Sequence, residues 1–170
     1  MAFFLRALRL LTIVVWVGGL SFFAFVLAPV AFGVLPSTHE AGLVVGGTLT
    51  VLNGIGQLCG GFFALATLLL WARARVQART LLITQLLFVV LMMIATAYVQ
   101  VSVMPAMERD RIAAGGIVDA VPPGNPARMD FDRLHTRSEQ AEGAVLALGF
   151  LVVMLMGWVI RPSKAAASAT

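Results

Sequence analysis

Four long apolar runs separated by polar breaks organise this chain: Leu8 to Phe32, Leu43 to Trp71, Leu81 to Met104 and Ala141 to Ile160. Each is close to or beyond the roughly 20 apolar residues that carry a helix across hydrocarbon. The runs are continuous rather than alternating, so backbone amides removed from water are satisfied inside helices and not in a barrel. The pattern predicts an all-α membrane protein, an antiparallel four-transmembrane-helix bundle with spans at about 8–33, 43–71, 81–104 and 141–160 in a single domain, 1–162. The breaks Pro36 to Gly42 and Ala72 to Thr80 are short, which makes the helices they join antiparallel neighbours. The third connection, 105–140, is long. Met107 to Ala114 reads as a prolongation of the third helix past Pro105, and Asp130 as the cap that starts the fourth. Between them Gly115-Gly116 and Val121-Pro122-Pro123-Gly124-Asn125-Pro126 break the helix into a loop. The tail 163–170 is expected to be disordered.

The first run has the look of a secretory signal, with Arg6 and Arg9 ahead of it. Its apolar stretch, Leu10 to Ala28, is longer than such a signal uses and no small-x-small cleavage site follows, so it is expected to stay as a helix that Pro29 bends or closes.

Composition agrees: 60% of residues are hydrophobic and 12% charged, with a mean hydropathy of +0.96, far above a soluble domain. Charge adds orientation. Arg6, Arg9, Arg73, Arg75, Arg79, Arg161 and Lys164 all flank one side, with no acidic residue among them. The other side has five arginines against eight acidic residues. The positive-inside rule then puts both termini in the cytoplasm and the long connection on the outer, periplasmic side. The pI near 10.6 is thus topogenic, and nucleic acid is not an expected partner. Cys59 is the only cysteine, so no internal disulfide forms and the thiol is expected to pack.

In the second run Gly42, Gly46, Leu49, Asn53, Gly56 and Gly60 recur at alternating steps of four and three, a left-handed seam along which another helix approaches. Gly18 and Gly19, and Gly143 with Ala147, read the same way, while Met92 and Met93 read as core filling. Asn53 falls ~15 Å into its span, where its amide needs a partner on another helix. With Gln57 it reads as interhelical glue, with a ligand role as the alternative.

The outward end of the fourth helix gathers candidate chemistry. At 100° per residue Phe131, His135, Ser138 and Glu142 share one face, which brings an imidazole, a hydroxyl and a carboxylate together. Glu142 precedes an unbroken apolar helix, so its carboxylate sits at the outer boundary and needs a partner. Tyr98, Gln100, His39, Glu40, Arg109 and Arg111 lie at a similar level. Two readings stand: a polar lid, with Glu142 paired to an arginine and His135 held by a backbone carbonyl, or a ligand- or proton-handling site built from His135, Ser138, Glu142, Tyr98, Arg111 and His39.

The segments Val15-Trp16-Val17-Gly18-Gly19-Leu20, Phe25-Val26-Leu27-Ala28-Pro29, Ala41-Gly42-Leu43-Val44-Val45-Gly46, Val103-Met104-Pro105-Ala106-Met107 with Arg111, and Phe131-x-x-Leu134-His135-x-x-Ser138 resemble, in order and spacing, the transmembrane protein 205-like family, over about Leu10 to Ile160. The resemblance implies a small four-span protein that bacteria carry as a domain of unknown function, with no established enzymatic activity. Animal relatives are associated with drug resistance and secretory traffic. It marks His135, Ser138, Pro105 and Arg111 as motif positions without giving them a chemical role. Eleven arginines against a single lysine suit a GC-rich bacterium, and hence its plasma membrane.

Three function classes follow. The first is binding or transport of a small solute or cation at the outer polar site. The second is a non-catalytic scaffold or accessory subunit whose glycine seams receive a partner membrane protein or a second copy, beside the lipid bilayer itself. Electron transfer is the weakest: His39 and His135 both lie at the outer boundary, so no intramembrane pair holds a haem, and Met104 and Met107 with those histidines are scattered soft ligands that make only a weak signal for copper. Hydrolysis by Ser138 and His135 lacks an oxyanion site. No enzyme activity, cofactor or metal is therefore expected.

Overall fold

The computed structural model describes residues 1–74 and 76–158 and consists of four long helices packed side by side. Helix α1 runs Ala2–Val34, α2 Thr38–Trp71, α3 Val76–Tyr98 and on to Ala113, and α4 Pro126–Trp158. Each contains a stretch long and apolar enough to cross a membrane. A three-residue 3₁₀ turn, Val118–Ala120, lies in the last connection. Each helix packs on the two beside it in the order α1, α2, α3, α4 and back to α1. The described chain ends, Met1 and Trp158, share one end of the bundle, here the terminal end. The α3–α4 connection marks the opposite, connector end.

Large apolar side chains such as Phe3, Phe25, Phe62 and Met154 face outward, the inverse of a water-soluble surface and what lipid requires. Polar residues are instead found inside. The expected tail, 163–170, lies outside the described residues, as do Arg75, Arg161 and Lys164.

The helices outrun the apolar segments at the connector end because good caps exist there. Ser37 accepts a hydrogen bond from the Glu40 amide (3.2 Å) and starts α2 at Thr38, so His39 and Glu40 stand on its first turn and not in a loop. Asn125 accepts from the amides of Ala127 (2.9 Å) and Arg128 (3.4 Å) and starts α4 at Pro126. Asp130, the cap expected from sequence, is therefore already helical. Helix α3 does continue past Pro105, and ends where Gly115 and Gly116 take φ of 84° and 95°.

Neither Pro29 nor Pro105 ends its helix. A proline has no amide hydrogen and its ring crowds the carbonyl four residues back. Both helices respond by widening to a π turn at the same offset, Phe23–Leu27 before Pro29 and Val99–Val103 before Pro105. The extra residue takes up the clash.

Packing inside the bundle repeats in layers seven residues apart, as left-handed helix packing requires. In the central layer the Trp16 indole lies against Gly56 and Gly60, and a Cβ at Gly60 would stand 2.7 Å from Met93 and 2.9 Å from Trp16. Val17 and Met92 close on Gly149 in the same layer. The glycines of α2 thus admit a ring and a thioether, not another backbone. The predicted seam holds only in this half, since a Cβ at Gly42 or Gly46 meets nothing within 4 Å. Gly18 and Gly143 are likewise open, and Gly149 takes the role expected of Gly143. Met92 and Cys59 sit in the core as the sequence indicated.

Candidate functional site

One seven-residue step from the central layer toward the connector end leads from Gly60 to Asn53, from Met92 and Met93 to Val99 and Gln100, and from Gly149 to Glu142. Asn53 is 2% exposed and its carboxamide is a near neighbour of the Glu142 carboxyl. Helices α2 and α4 are diagonal partners, so this pair meets across the bundle axis. Neither Glu142 Oε1 nor Oε2 has a hydrogen-bond partner, and the Asn53 Nδ2, Thr96 Oγ1 and Gln100 Oε1 atoms are buried and equally unpartnered. Ser138, one turn from Glu142, is also buried. Gln57 is settled by contrast, its Nε2 donating to the Met93 carbonyl at 2.8 Å.

Buried polar atoms normally find partners because an unmade bond costs about 1–3 kcal/mol each. Five such atoms within about one helical turn of each other are therefore a concentrated cost, and a carboxyl among them is the most demanding member. Oxygen dominates the set, which suits a hard cation or a proton far better than a soft metal.

The surroundings decide access. Along α2 the face that is closed at Leu49 and Asn53 is open at Gly42 and Gly46, where no neighbouring side chain approaches. The pair is thus walled toward the terminal end by Trp16 and uncovered along α2 toward the connector end. The connection arches over that end and is pinned there: Asp119 accepts from the Thr38 hydroxyl, Arg128 lies 3.7 Å from the Asp119 carboxylate, and Arg128 donates to the Val121 carbonyl at 2.8 Å.

The remaining predicted site residues divide from this pair. His135 is half exposed, lies 3.3 Å from Glu139 and stacks on Phe131 at 6.3 Å between ring centroids. It is not held by a backbone carbonyl as the lid reading required. Its height matches the open part of α2, so no helix covers it. Tyr98 is 45% exposed, and His39 stands on the first turn of α2. Arg111 holds Glu108 through two hydrogen bonds (2.7 and 2.5 Å) and donates to the Gly116 carbonyl (3.2 Å). That pairing draws the Glu108 carboxyl below its ordinary value and raises the Arg111 guanidinium. Glu142 is consequently not the partner of Arg111, and the arginine pair expected for it is not made. Of the proposed ligand set, Glu142 is brought beside Asn53, which the sequence sets apart as interhelical glue, Ser138 is buried one turn away, and His135, Tyr98, His39 and Arg111 do not join them. Thr96 was missed and Gln100 was noted only for its level, although both follow from counting seven-residue steps along α3.

A second buried group lies one layer from Trp16 in the other direction. Arg9, counted with Arg6 as a flanking charge, is 5% exposed and sits inside the bundle. Its Nη2 donates to Gln85 Oε1, its guanidinium lies 4.7 Å from the centre of the Phe63 ring, and its Nε has no partner. No metal-holding cluster of His, Cys, Asp and Glu occurs among the described residues.

A family model, DUF4149, a domain of unknown function, matches residues 11–112. The match takes in α1 from Leu11 onward, α2 and nearly all of α3, and therefore Asn53, Thr96 and Gln100, while Arg9 and Glu142 lie outside it. Neither the curated proteins nor the solved structures give a match.

Proposed function

The chain belongs to the DUF4149 family, and we propose that this member binds a small hard cation, a proton in the simplest case, at Glu142 from the connector end of a four-span membrane bundle. The observation that carries the reading is the Glu142 carboxyl, both oxygens buried without a hydrogen bond of normal geometry and with the Asn53 carboxamide beside them. A carboxyl in that position is held by a proton or by a cation, because no basic side chain among the described residues pairs with it. Gln100 supplies a further oxygen at the same level, Thr96 and Ser138 lie one turn to either side of it, and the open α2 face at Gly42 and Gly46 supplies the approach. The reading assigns no catalytic step, since His135 and Ser138 point to different surroundings. The same proposal takes both termini as cytoplasmic on the sorting of basic residues, the bacterial plasma membrane on the arginine-rich composition, and the transmembrane protein 205-like family on the quoted motifs.

A hydrophobic carbodiimide tests it, because such reagents modify protonated carboxyls in apolar surroundings. Mass spectrometry of the purified protein is expected to find Glu142 labelled, more heavily as pH falls, with the exposed Glu139 and Glu40 unlabelled. Equal labelling of the exposed carboxylates, or none at Glu142 at any pH, would remove the site.

A scaffold role is the second reading, favoured by one feature. Gly47, Gly54 and Gly61 recur every seven residues on the outward face of α2 with nothing within 4 Å, a strip that suits a partner helix or a second copy of the chain.

A further inference from the structure

The interior of the bundle has a second ionisable group whose charge the chain does not balance. All eight acidic side chains belong to the connector-end half: Glu40 on the first turn of α2, Glu108 and Asp110 at the end of α3, Asp119 in the connection, and Asp130, Asp132, Glu139 and Glu142 in the first half of α4. Arg9 lies on the far side of the Trp16 layer. From Glu142 at its level to Arg9 at its own is about two seven-residue steps, or ~21 Å at 1.5 Å per residue. The carboxyl is thus no counter-ion for the guanidinium.

Among the described residues Arg9 meets no acidic group, and the charged neighbour it does have, Arg6, is another cation. Gln85 accepts one of its five N–H bonds, Phe63 offers a ring face, and Thr12 turns its hydroxyl to the Leu8 and Arg9 carbonyls instead. The Nε edge has no acceptor. A glutamine oxygen and a ring face neutralise a cation only in part, and a buried charge left without an opposite one is costly. Glutamine at this place also does what an acidic residue would not. It orients the guanidinium by accepting on one side while leaving the positive charge available to an anion. A lysine would serve charge alone. The planar fork of arginine presents two parallel donors, the geometry that carboxylate and phosphate oxygens match.

Place supports the same chemistry. Arg9 lies one seven-residue step from Trp16 toward the terminal end, and its guanidinium reaches across the interior to Gln85 and Phe63. Arg6, exposed and one turn nearer that end, and Arg73 and Arg79 at the ends of α2 and α3, add positive charge along the approach. No acidic side chain lies on it.

We propose that Arg9, oriented by Gln85 and backed by Phe63, is a binding site for a phosphate-type oxyanion that enters from the terminal end of the bundle, borne on a lipid headgroup or free in solution. The site is independent of Glu142, from which the Trp16, Gly56 and Gly60 layer separates it, so either can fail without the other.

The test uses the full chain and its three tryptophans as reporters of thermal unfolding. One arm titrates inorganic phosphate against chloride at matched ionic strength in a neutral detergent. A second arm compares nanodiscs of phosphatidylcholine with nanodiscs containing phosphatidylglycerol. The expected result is a saturable rise in melting temperature in at least one arm for the wild type, its loss in Arg9→Gln, and at least a tenfold weaker apparent affinity in Arg9→Lys, which keeps the charge and loses the fork. Arg137→Gln removes the same charge from the exposed connector end, away from the approach, and is expected to keep the response. A response to phosphate alone identifies a free anion, and a response to phosphatidylglycerol alone a headgroup. If Arg9→Gln does not fold, Arg9→Lys and Gln85→Leu carry the comparison. No stabilisation of the wild type in either arm, or the same stabilisation in the Arg9 variants, overturns the proposal.

Discussion

Glu142 is where two accounts of the connector-end site differ in sign. Had it been the partner of an arginine, Glu142→Gln would strand a cation and lower stability, with rescue on removing that arginine. In the structure Arg111 is already committed to Glu108, so Glu142→Gln is expected to melt at the same temperature as the wild type or higher, by an amount on the order of 1 kcal/mol. Earlier melting with rescue by Arg111→Met, read by thermal unfolding in detergent, would restore the ion-pair account. The Arg111 pair is itself exposed, so Glu108→Gln is expected to change stability by less than roughly 0.5 kcal/mol. Its pH effect has a defined sign. The Glu108 value lies lower in the folded protein than the ordinary 4.5, so its small contribution is complete above that value and disappears as pH falls through the lower folded one. A Glu108→Gln variant whose stability falls slightly less than that of the wild type as pH drops below 4.5, while matching it near neutrality, meets this expectation. At this scale the sequence made Glu142 and Asn53 legible, because a polar residue in an apolar run is conspicuous. His135 was misplaced because angular position on α4 says which side a residue takes, not whether another helix stands opposite at that height. Arg9 was misplaced because an arginine three residues after another, at the start of a span, has the same pattern whether it faces lipid headgroups or the bundle.

Helix α2 contains its own control for the packing argument. Gly56 and Gly60 receive Trp16 and Met93, whereas Gly42 on the same face looks into open space. Gly56→Leu or Gly60→Leu is expected to cost at least roughly 1–3 kcal/mol by overpacking. Gly42→Ala is expected to be neutral or stabilising by up to about 1 kcal/mol through helix propensity, and Leu68→Ile, exposed on the lipid side, to change little. Equal melting of all four variants would show that the Trp16 layer is not tightly packed. The spacing of small residues made half of this seam legible. The rest depended on what faces it, and a ring in place of a backbone leaves no mark in the sequence of α2. The π turns escaped for a related reason. Pro29 and Pro105 announced a disturbance, but whether a helix ends, kinks or widens depends on the packing on either side, and here Phe23, Val99 and Val103 are buried and anchor the chain through the disturbance.

At the scale of the molecule the four-helix architecture follows from run length alone, and what remains to be measured is its direction in the membrane. The proposed orientation rested on seven basic residues, and moving Arg9 into the interior leaves six in the sequence count for that side, still with no acidic residue among them. The bias is unchanged in sign, since the rule counts Lys and Arg near the span ends and is insensitive to acidic residues. Both proposed sites depend on it. With the termini inside the cell, Glu142 draws its cation from outside and Arg9 its oxyanion from the cytoplasm or the inner leaflet. With the reverse direction, the two sources exchange. Single cysteines in a Cys59→Ala background decide between them. Pro123 is exposed in the connection and bears no cap, unlike Asn125, whose carboxamide starts α4, so Pro123→Cys reports on the connector end without disturbing the fold. Ala72, exposed just past α2, reports on the other end. In intact cells a membrane-impermeant maleimide is expected to label Pro123→Cys and to leave Ala72→Cys unlabelled until the membrane is opened. Labelling of Ala72→Cys alone in intact cells would invert the molecule and with it the side from which each ligand arrives.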